Sequence, residues 1–442
     1  MSSAQRALNA SINGNQVGQL RELNDIWSFE YDACWLQNPN AFSLSPGLAM
    51  TTPLHVDGSS IRPVQWYFDN LLPEEQLREV LAKEAKLVIA DAFGLLEHYG
   101  AESAGSLVLK APDATDAVQG LKPLPLADLQ LRIKNLPRAS LTQEAPKRMS
   151  LAGAQHKMVV VVEGRELFEP LPGTPSTHIL KPNSPSLDYP SSVINEFFTM
   201  RLAGAVGLTV PAVDRWYAPA PLYLIERFDR TRTADASVQR IHVIDTCQLL
   251  SKSRAFKYQQ ATLETLAEAI KQCRAKTAAR VQLYRWLMFN VLVGNGDNHL
   301  KNISFRVGHE GINLAPAYDL LSTAVYATAA LAQQMPTWPR VELGVSLVGA
   351  HYFDDVTRDK LLDAGKALGL KGDTVLRELA VMEKRLPVAA DALLEDLIKK
   401  FEGLILASPD PVAVRALQGG EVRLLRAIRS IVIRDMLERI KP

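Results

Sequence analysis

Apolar and polar residues alternate along the start of the chain, which is the pattern of half-buried β-strands. The turn signal Asn13-Gly14-Asn15 lies between two such segments and predicts a hairpin. In chain order, we predict strands at 8–12, 16–20 and 26–31, helices at 73–84 and 86–99, and a strand at 106–109. The first part of the chain therefore predicts a β-meander followed by helices and one more strand.

A second block of strands follows a proline-rich stretch at Lys122-Pro123-Leu124-Pro125. Ser191 and Ser192 can cap a helix that runs to about Val206. In chain order, the block contains predicted strands at 158–162, 165–168 and 177–181, this helix, and strands at 215–217 and 222–226. The third strand ends in Lys181. This order of elements is typical of the small lobe of a protein kinase.

The third block is predicted to be mainly helical. Apolar residues at helical spacing cover 281–292, and Gly294-Asn295 supplies a stop signal. Alternating residues at 303–307 and a return at 312–314 predict a hairpin after it. The tail from Gln334 to Pro442 is interpreted as further helices.

Composition is that of an ordinary globular protein, with 442 residues, 47% hydrophobic residues, 22% charged residues and a net charge of +1. This charge gives no general attraction to nucleic acid or to membranes. Cys34, Cys247 and Cys273 are far apart and are interpreted as reduced thiols. We find no signal peptide and no apolar stretch near the ~18 residues of a membrane span, so the prediction is a cytoplasmic protein without a membrane partner.

The segment Gly296-Asp297-Asn298-His299-Leu300-Lys301-Asn302 carries the most specific chemical signal. Asp297 and Asn302 stand five positions apart, and Asp319 follows after a predicted hairpin. In the kinase template the first Asp accepts the proton of the attacking hydroxyl, while the Asn and the later Asp bind magnesium beside the ATP phosphates. An Asp and an Asn at this spacing are common, and the alternative is a capped loop with a turn Asn. The preceding helix and the following hairpin favour phosphotransfer.

Three other segments have both a functional and a structural interpretation. Lys181 is either an exposed strand lysine or a phosphate ligand held by Glu196 on the next helix. The segment 150–157 is either a surface turn or a loop whose backbone approaches phosphate. The segment 226–230 is either a charged strand exit or the hinge that binds adenine through its backbone. His299 has no second ligand at zinc spacing, so it indicates a phosphate contact or a loop hydrogen bond.

Together these segments resemble the HipA family, bacterial serine/threonine kinases that act as toxins of type II toxin–antitoxin pairs. The resemblance also includes Tyr67-Phe68-Asp69-Asn70-Leu71-Leu72-Pro73 and Gly105-Ser106-Leu107. It implies an α+β, bilobal, protein-kinase-like fold. The predicted domains are an N-terminal α/β subdomain (1–138), a kinase small lobe (139–235) and an α-helical large lobe with the catalytic loop (236–442).

The resemblance implies a role for each matching residue. Asp297 would be the catalytic base, Asn302 and Asp319 would bind Mg²⁺, and Ser150 matches the autophosphorylated serine of the family. The implied ATP-binding residues are Ala152, Gly153, Ala154, Gln155, His156, Lys157, Lys181, Glu226, Arg227, Phe228, His299, Leu300, Lys301, Asn302, Tyr318 and Asp319. A phosphate on Ser150 adds about −1.5 to −2 charges, which would expel the nucleotide loop and silence the kinase.

The implied partners are a protein substrate, expected to be an aminoacyl-tRNA synthetase, and a small DNA-binding antitoxin of the HipB type. DNA would be contacted only indirectly, through the antitoxin. The segment Cys247-Gln248-Leu249-Leu250-Ser251 lacks the glycine that is frequent in the family, which bears on substrate identity. Two alternatives stay open: a small-molecule or lipid kinase, and a non-catalytic kinase-like scaffold or corepressor.

Overall fold

The structure is a computed structural model of the chain, and it describes residues 5–114, 118–147, 149, 151–153, 155–218, 220–235, 237–407 and 410–441. Antiparallel strand pairs dominate the first part of these residues and helices dominate the last part, which makes the fold α+β. None of the helices within these ranges combines the length and the apolar composition needed to cross a membrane.

The strands are β1 (Arg6–Ile12), β2 (Asn15–Leu23), β3 (Ile26–Tyr31), β4 (Leu54–Val56), β5 (Leu107–Lys110), β6 (Leu121–Pro123), β7 (Met158–Glu163), β8 (Glu166–Pro170), β9 (His178–Pro182), β10 (Val213–Ala218), β11 (Ala220–Glu226), β12 (Arg230–Arg232), β13 (Val238–Arg240), β14 (Val243–Asp245), β15 (Ser304–Gly308), β16 (Gly311–Leu314), β17 (Glu342–Leu347) and β18 (Ala350–Tyr352). The helices are α1 (Ala33–Gln37), α2 (Pro63–Asp69), α3 (Glu75–Glu84), α4 (Ala92–Tyr99), α5 (Leu126–Lys134), α6 (Ser192–Ala205), α7 (Thr246–Leu249), α8 (Leu263–Gln272), α9 (Lys276–Leu292), α10 (Arg358–Ala367), α11 (Gly372–Ala407), α12 (Pro411–Ala427) and α13 (Arg434–Arg439).

Contacts between residues divide the chain into two compact units, and neither unit is continuous in sequence. The first unit contains Met1–Pro182, Trp216–Lys257 and Ile303–Ala315, and the second contains Asn183–Arg215, Tyr258–Asn302 and Pro316–Pro442. The three-part division of the sequence at 138 and 235 stays a prediction.

The meander predicted from the alternating pattern is confirmed in the first unit. Its antiparallel sheet has the order β4-β3-β2-β1-β5. Asn13 and Gly14 have φ angles of 47° and 83°, which is the left-handed pair that a two-residue hairpin turn requires. Leu8 and Ala10 on the inner face of β1 are fully buried, so this sheet covers a core of its own.

A second sheet has the order β10-β11-β9-β7-β8-β6, and the boundary between the units falls inside β10. The proline-rich stretch that marked the start of a new block contributes β6, which pairs with β8. A cluster of buried apolar residues lies against β7, β9 and β11 and includes Met149, Leu151, Leu180 and Leu224. Met149 and Leu151, on either side of position 150, are therefore packed in the core of this sheet.

Two sequence predictions about helices are corrected by the structure. The helix predicted over 86–99 begins only at Ala92, because Lys86 has a left-handed φ of 57° and Asp91 caps the helix by accepting a hydrogen bond from Gly94 N. The tail after Gln334 is not all helical, since β17 and β18 form a hairpin. Residues of β17 alternate between buried and less buried positions, a two-residue period that favours a strand.

Helix α6 is buried along most of its length in the second unit, and its first turn is capped from a distance. Ser191, one of the predicted caps, has a left-handed φ of 56° and makes no capping bond. Asn183 Oδ1 instead accepts a hydrogen bond of 2.9 Å from Val193 N, and Ser192 Oγ accepts one of 2.7 Å from Ser184 N. The cap therefore comes from the residue that follows β9.

A buried cluster of charges holds the first unit together around Glu102, whose side chain is fully buried. Burial by itself raises the pKa of Glu102, but the surrounding cations outweigh it and hold this pKa well below its usual range. The cations and their distances to the Glu102 carboxylate are Lys147 at 2.5 Å, Arg227 at 2.9 Å, Arg230 at 2.7 Å and Arg240 at 2.6 Å. Glu102 thus connects segments that are far apart in sequence.

We expect Glu102→Gln to destabilise the protein by about 3–5 kcal/mol, because it leaves buried cations without their shared carboxylate. Urea unfolding of the full chain at pH 7.5 measures the change. Glu97→Gln is the matched control, since Glu97 is exposed on α4. Equal unfolding midpoints for the two variants would contradict the structural role of the cluster.

His242 is a second buried titratable group of the first unit. Its Nδ1 lies 2.9 Å from Ser106 Oγ, and its Nε2 lies 2.9 Å from Leu44 O and 3.2 Å from Tyr67 Oη. A neutral imidazole satisfies these contacts by donating from Nε2 to the carbonyl and accepting at Nδ1. Burial lowers the pKa of His242 to about 4.

This lowered pKa predicts a loss of stability in mild acid. The unfolded chain takes up a proton on His242 below about pH 6.5, whereas the folded chain does so only below about pH 4. Stability from this residue is therefore complete above pH 6.5 and falls by about 3 kcal/mol as the pH drops to 4. Urea unfolding between pH 4.5 and pH 7.5 tests this. A His242→Gln variant should have a flatter pH dependence, and an unchanged slope would refute the assignment.

Candidate active site

The segment with the kinase-like spacing begins where α9 ends, in the second unit. Gly294 has a left-handed φ of 68°, which ends the helix as the glycine signal predicts. Asn290 on the last turn accepts a 2.6 Å hydrogen bond at Oδ1 from Asn295 Nδ2. Asn295 Oδ1 in turn accepts from Asp297 N at 3.0 Å. The helix end and the candidate base are thus connected by a short chain of amides.

Asp297 is held through its backbone as well as its side chain. Its carbonyl oxygen accepts hydrogen bonds from His299 N at 3.0 Å and from Asn302 Nδ2 at 2.8 Å. Tyr258 Oη donates to Asp297 Oδ1. The carboxylate is half-buried, whereas Asn298 and His299 beside it are buried. The loop therefore fixes the position of one partly accessible carboxylate.

A hydrogen bond links the chain neighbours of Asn302 and Asp319, while a shared metal site of these two residues stays a prediction. Tyr318 Oη donates a 2.6 Å hydrogen bond to Lys301 O, which ties the residue before Asp319 to the residue before Asn302. Because Asn302 Nδ2 is used as a donor to Asp297 O, the oxygen of the amide is the atom suited to a cation. Asp319 has a left-handed φ of 57°.

Strand β17 lies against this loop and was not predicted. A Cβ on Gly344 would stand 2.1 Å from Asn298 Oδ1 and 2.8 Å from Gly296 O. A Cβ on Gly296 would stand 2.9 Å from Glu342 O. Only glycine permits this approach of two backbones, so the hairpin supports the loop directly.

Asn195 on α6 is a further residue that sequence reasoning missed as a support of the site. Its side chain is fully buried, and its amide makes a two-way pair with the backbone of Ser322. Asn195 Nδ2 donates to Ser322 O at 2.9 Å, and Asn195 Oδ1 accepts from Ser322 N at 2.8 Å. Ser322 follows Asp319 by three residues, so α6 fixes the exit of this segment.

The predicted nucleotide loop lies in the first unit. Gly153 has a φ of 104°, and its carbonyl accepts a 3.4 Å hydrogen bond from Glu74 N. Lys157 Nζ donates back to Ala152 O and closes the loop on itself. His156 is buried, and its burial lowers its pKa. Ser150 and Ala154 fall outside the described residues, while Gln155 is half-buried.

Lys181, on β9 of the first unit, is only 6% exposed, and its Nζ lies 5.9 Å from the centre of the Tyr223 ring. Buried lysines are rare unless they are paired, so this position agrees with a functional cation. Glu196 is 3% exposed on α6. Its pairing with Lys181 stays a prediction.

Most polar groups of the predicted hinge take part in structural contacts. Arg227 N donates to Thr177 O at 2.9 Å, and Phe228 O accepts from Arg306 Nη2 at 2.9 Å. The Arg227 side chain is 1% exposed and binds Glu102 of the buried cluster. Glu226 is exposed at the end of β11. Both backbone and side-chain groups of this segment thus take part in folding contacts, and adenine binding here stays a prediction.

The donor set of the candidate site fits a hard cation. Asn302 and Asp319 offer an amide and a carboxylate oxygen, and Mg²⁺ is commonly held by one or two protein oxygens together with phosphate and water. Among the residues that the structure describes, no group of three or more His, Cys, Asp or Glu side chains forms a metal cluster. The oxygen pair therefore suits a metal that arrives with a phosphorylated ligand.

We expect Gly344→Ala to loosen the candidate loop, because its Cβ collides with Asn298 and overpacking costs about 1–3 kcal/mol. Hydrogen exchange of the bonded amides at 296–302 should quicken by about ten- to hundredfold. Gly403→Ala is the control, since a Cβ there meets nothing within 4 Å. Unchanged protection in Gly344→Ala would show that β17 does not support the loop.

Two protein-family models and several known proteins match this chain. The model of the HipA-like C-terminal domain matches residues 149–384, and the model of the HipA N-terminal domain matches residues 8–110. The chain is 37% identical to the putative kinase Y4mE of Sinorhizobium fredii, over 76% of this chain and 82% of that protein. It is 31% identical to the serine/threonine-protein kinase toxin HipA of Shewanella oneidensis, over 68% of this chain and 71% of that toxin.

A solved structure with the same fold is that of the Shewanella oneidensis HipA in complex with HipB and operator DNA. It matches with a TM-score of 0.74 and 24% identity, over 98% of this chain and 99% of that chain. This likeness confirms the α+β, kinase-like fold. With one family model matching more than half of the chain and a relative 31% identical over 68% of it, the relationship expected from the motifs is confirmed. The chain belongs to the HipA family of protein kinases.

Proposed function

We propose that this protein transfers the γ-phosphoryl group of Mg-ATP to serine or threonine hydroxyl groups of a protein, and that it is the toxin of a toxin–antitoxin module. The observation that carries the proposal is the Asp297 loop. Its backbone carbonyl, its amide and its carboxylate each have a defined hydrogen-bond partner. A surface loop without a catalytic role has no need for such order around one partly accessible carboxylate.

Each residue has a role that follows from its chemistry. Asp297 accepts the proton of the attacking hydroxyl, since a carboxylate within hydrogen-bond reach is a competent base. Asn302 and Asp319 hold Mg²⁺ through oxygen, and the ion when bound neutralises charge on the phosphates. Lys181 places a further positive charge on the phosphates. Residues of 152–157 and 226–228 would bind the rest of the nucleotide through their backbones.

We further propose that the chain phosphorylates itself on Ser150. Met149 and Leu151 on either side are buried in the core of the second sheet. A phosphate on Ser150 adds about −1.5 to −2 charges, which repel the phosphates of ATP bound at the adjoining loop. Phosphorylation would therefore displace this segment and, with it, the adjoining loop 152–157.

The expected protein substrate is an aminoacyl-tRNA synthetase or another translation protein, and the expected partner is a HipB-like antitoxin that carries the contacts to DNA. The Shewanella HipA found with HipB and operator DNA supports the second expectation. Copurification of the chain with a coexpressed HipB-like antitoxin would test it.

We expect the purified chain, incubated with Mg-ATP, to gain one phosphoryl group on Ser150, and Asp297→Asn to lower the rate about a hundred- to ten-thousandfold. The amide keeps the size of the side chain but cannot accept the proton. Intact mass and fragment spectra measure the gain and its position. Asp363→Asn is the control, since Asp363 is exposed on α10 and pairs only with exposed Lys366.

Other outcomes would overturn parts of the proposal separately. An unchanged amount of phosphate in Ser150→Ala would remove the role of Ser150 but keep the kinase. Labelling of small alcohols without labelling of protein would favour a small-molecule or lipid kinase. Absence of both nucleotide binding and phosphate transfer would favour a non-catalytic scaffold.

A further inference from the structure

Tyr258 makes a contact with the candidate base that neither the motifs nor the comparisons assign. Its hydroxyl donates a hydrogen bond to Asp297 Oδ1. Both residues belong to the second unit, 39 positions apart in sequence. Tyr258 is 46% exposed, so the side chain is not simply part of the core.

The Tyr258 ring is itself held in place. It packs edge-to-face against His299, with ring centres 4.8 Å apart and an angle of 76° between the planes. This is a favoured aromatic geometry, and it fixes the direction of the hydroxyl. His299 N in turn donates to Asp297 O at 3.0 Å. His299 therefore orients the Tyr258 ring, and the Tyr258 hydroxyl in turn orients the Asp297 carboxylate.

We propose that Tyr258 is a positioning residue for phosphoryl transfer, which holds the Asp297 carboxylate through Oδ1 in the orientation that accepts the proton of the acceptor hydroxyl. The inference rests on the proposed function, because it assigns a task to the same base. The phenol donates to the carboxylate and leaves the proton transfer itself to Asp297.

The geometry has one direct consequence. A carboxylate that is fixed at one oxygen loses rotational freedom, and catalytic groups that are held in the productive orientation need less reorganisation in the transition state. Tyr258 thus affects the rate of phosphoryl transfer rather than the binding of ATP.

The test is Tyr258→Phe in the full chain, which keeps the ring on His299 and removes only the hydroxyl. The readout is single-turnover transfer of label from radioactive Mg-ATP to the chain itself, measured at pH 7.5 over a range of ATP concentrations. We expect the maximal rate to fall about ten- to hundredfold, as for the loss of a hydrogen bond to a charged group. The KM for ATP should stay within about twofold of the wild-type value, because uniform binding is not altered.

Tyr189→Phe is the matched control and should leave the maximal rate and the KM for ATP unchanged. Tyr189 is 49% exposed and also packs edge-to-face against another ring, that of Tyr326. A Tyr258→Phe rate equal to the wild type, a higher rate, or a lower rate with a KM for ATP raised by the same factor would each overturn the positioning role while phosphotransfer stands. A wild-type chain that binds ATP but transfers no label would overturn the proposed function and this inference together.

Discussion

The hydrogen bond from Asn302 Nδ2 to Asp297 O is the interaction on which the candidate site depends. It closes the six-residue loop from Asp297 to Asn302, and it explains why an Asn at that distance from the Asp is needed even before any ligand is considered. A carboxylate in place of the amide would present oxygen to oxygen and could not close the loop. The amide oxygen of the same side chain is the proposed ligand of Mg²⁺. One residue thus combines a structural donor with a candidate ligand atom.

The buried cluster around Glu102 shows a different use of charge. The segment Arg227-Phe228-Asp229-Arg230 looks like a ligand-binding motif in the sequence, yet its guanidinium groups point to carboxylates inside the first unit. Burying so many charges is costly unless each has a partner of opposite sign. The charged residues of this segment are therefore explained by folding, and a role in nucleotide recognition stays a prediction.

Local features were predictable from sequence, and long-range ones were not. The meander followed from alternation and the Asn13-Gly14 turn, and the end of α9 followed from Gly294. The spacing of Asp297 and Asn302 indicated the loop because both residues lie in one short segment. The support by Gly344, in contrast, depends on the approach of two distant backbones, and nothing in the surrounding sequence marks it. Contacts of this kind produce no periodic pattern or residue spacing in the local sequence, so the sequence does not predict them.

Asp319 illustrates how one position can be limited by two independent demands. Its left-handed φ of 57° is costly for most residues, and only Gly, Asn and Asp adopt this region readily. The proposed ligand at this position must also carry an anionic oxygen, which glycine and asparagine do not supply. Aspartate alone meets both conditions. The left-handed turn after the hairpin is for this reason part of the chemical argument: it restricts the position to the residue type that a magnesium-dependent kinase needs there.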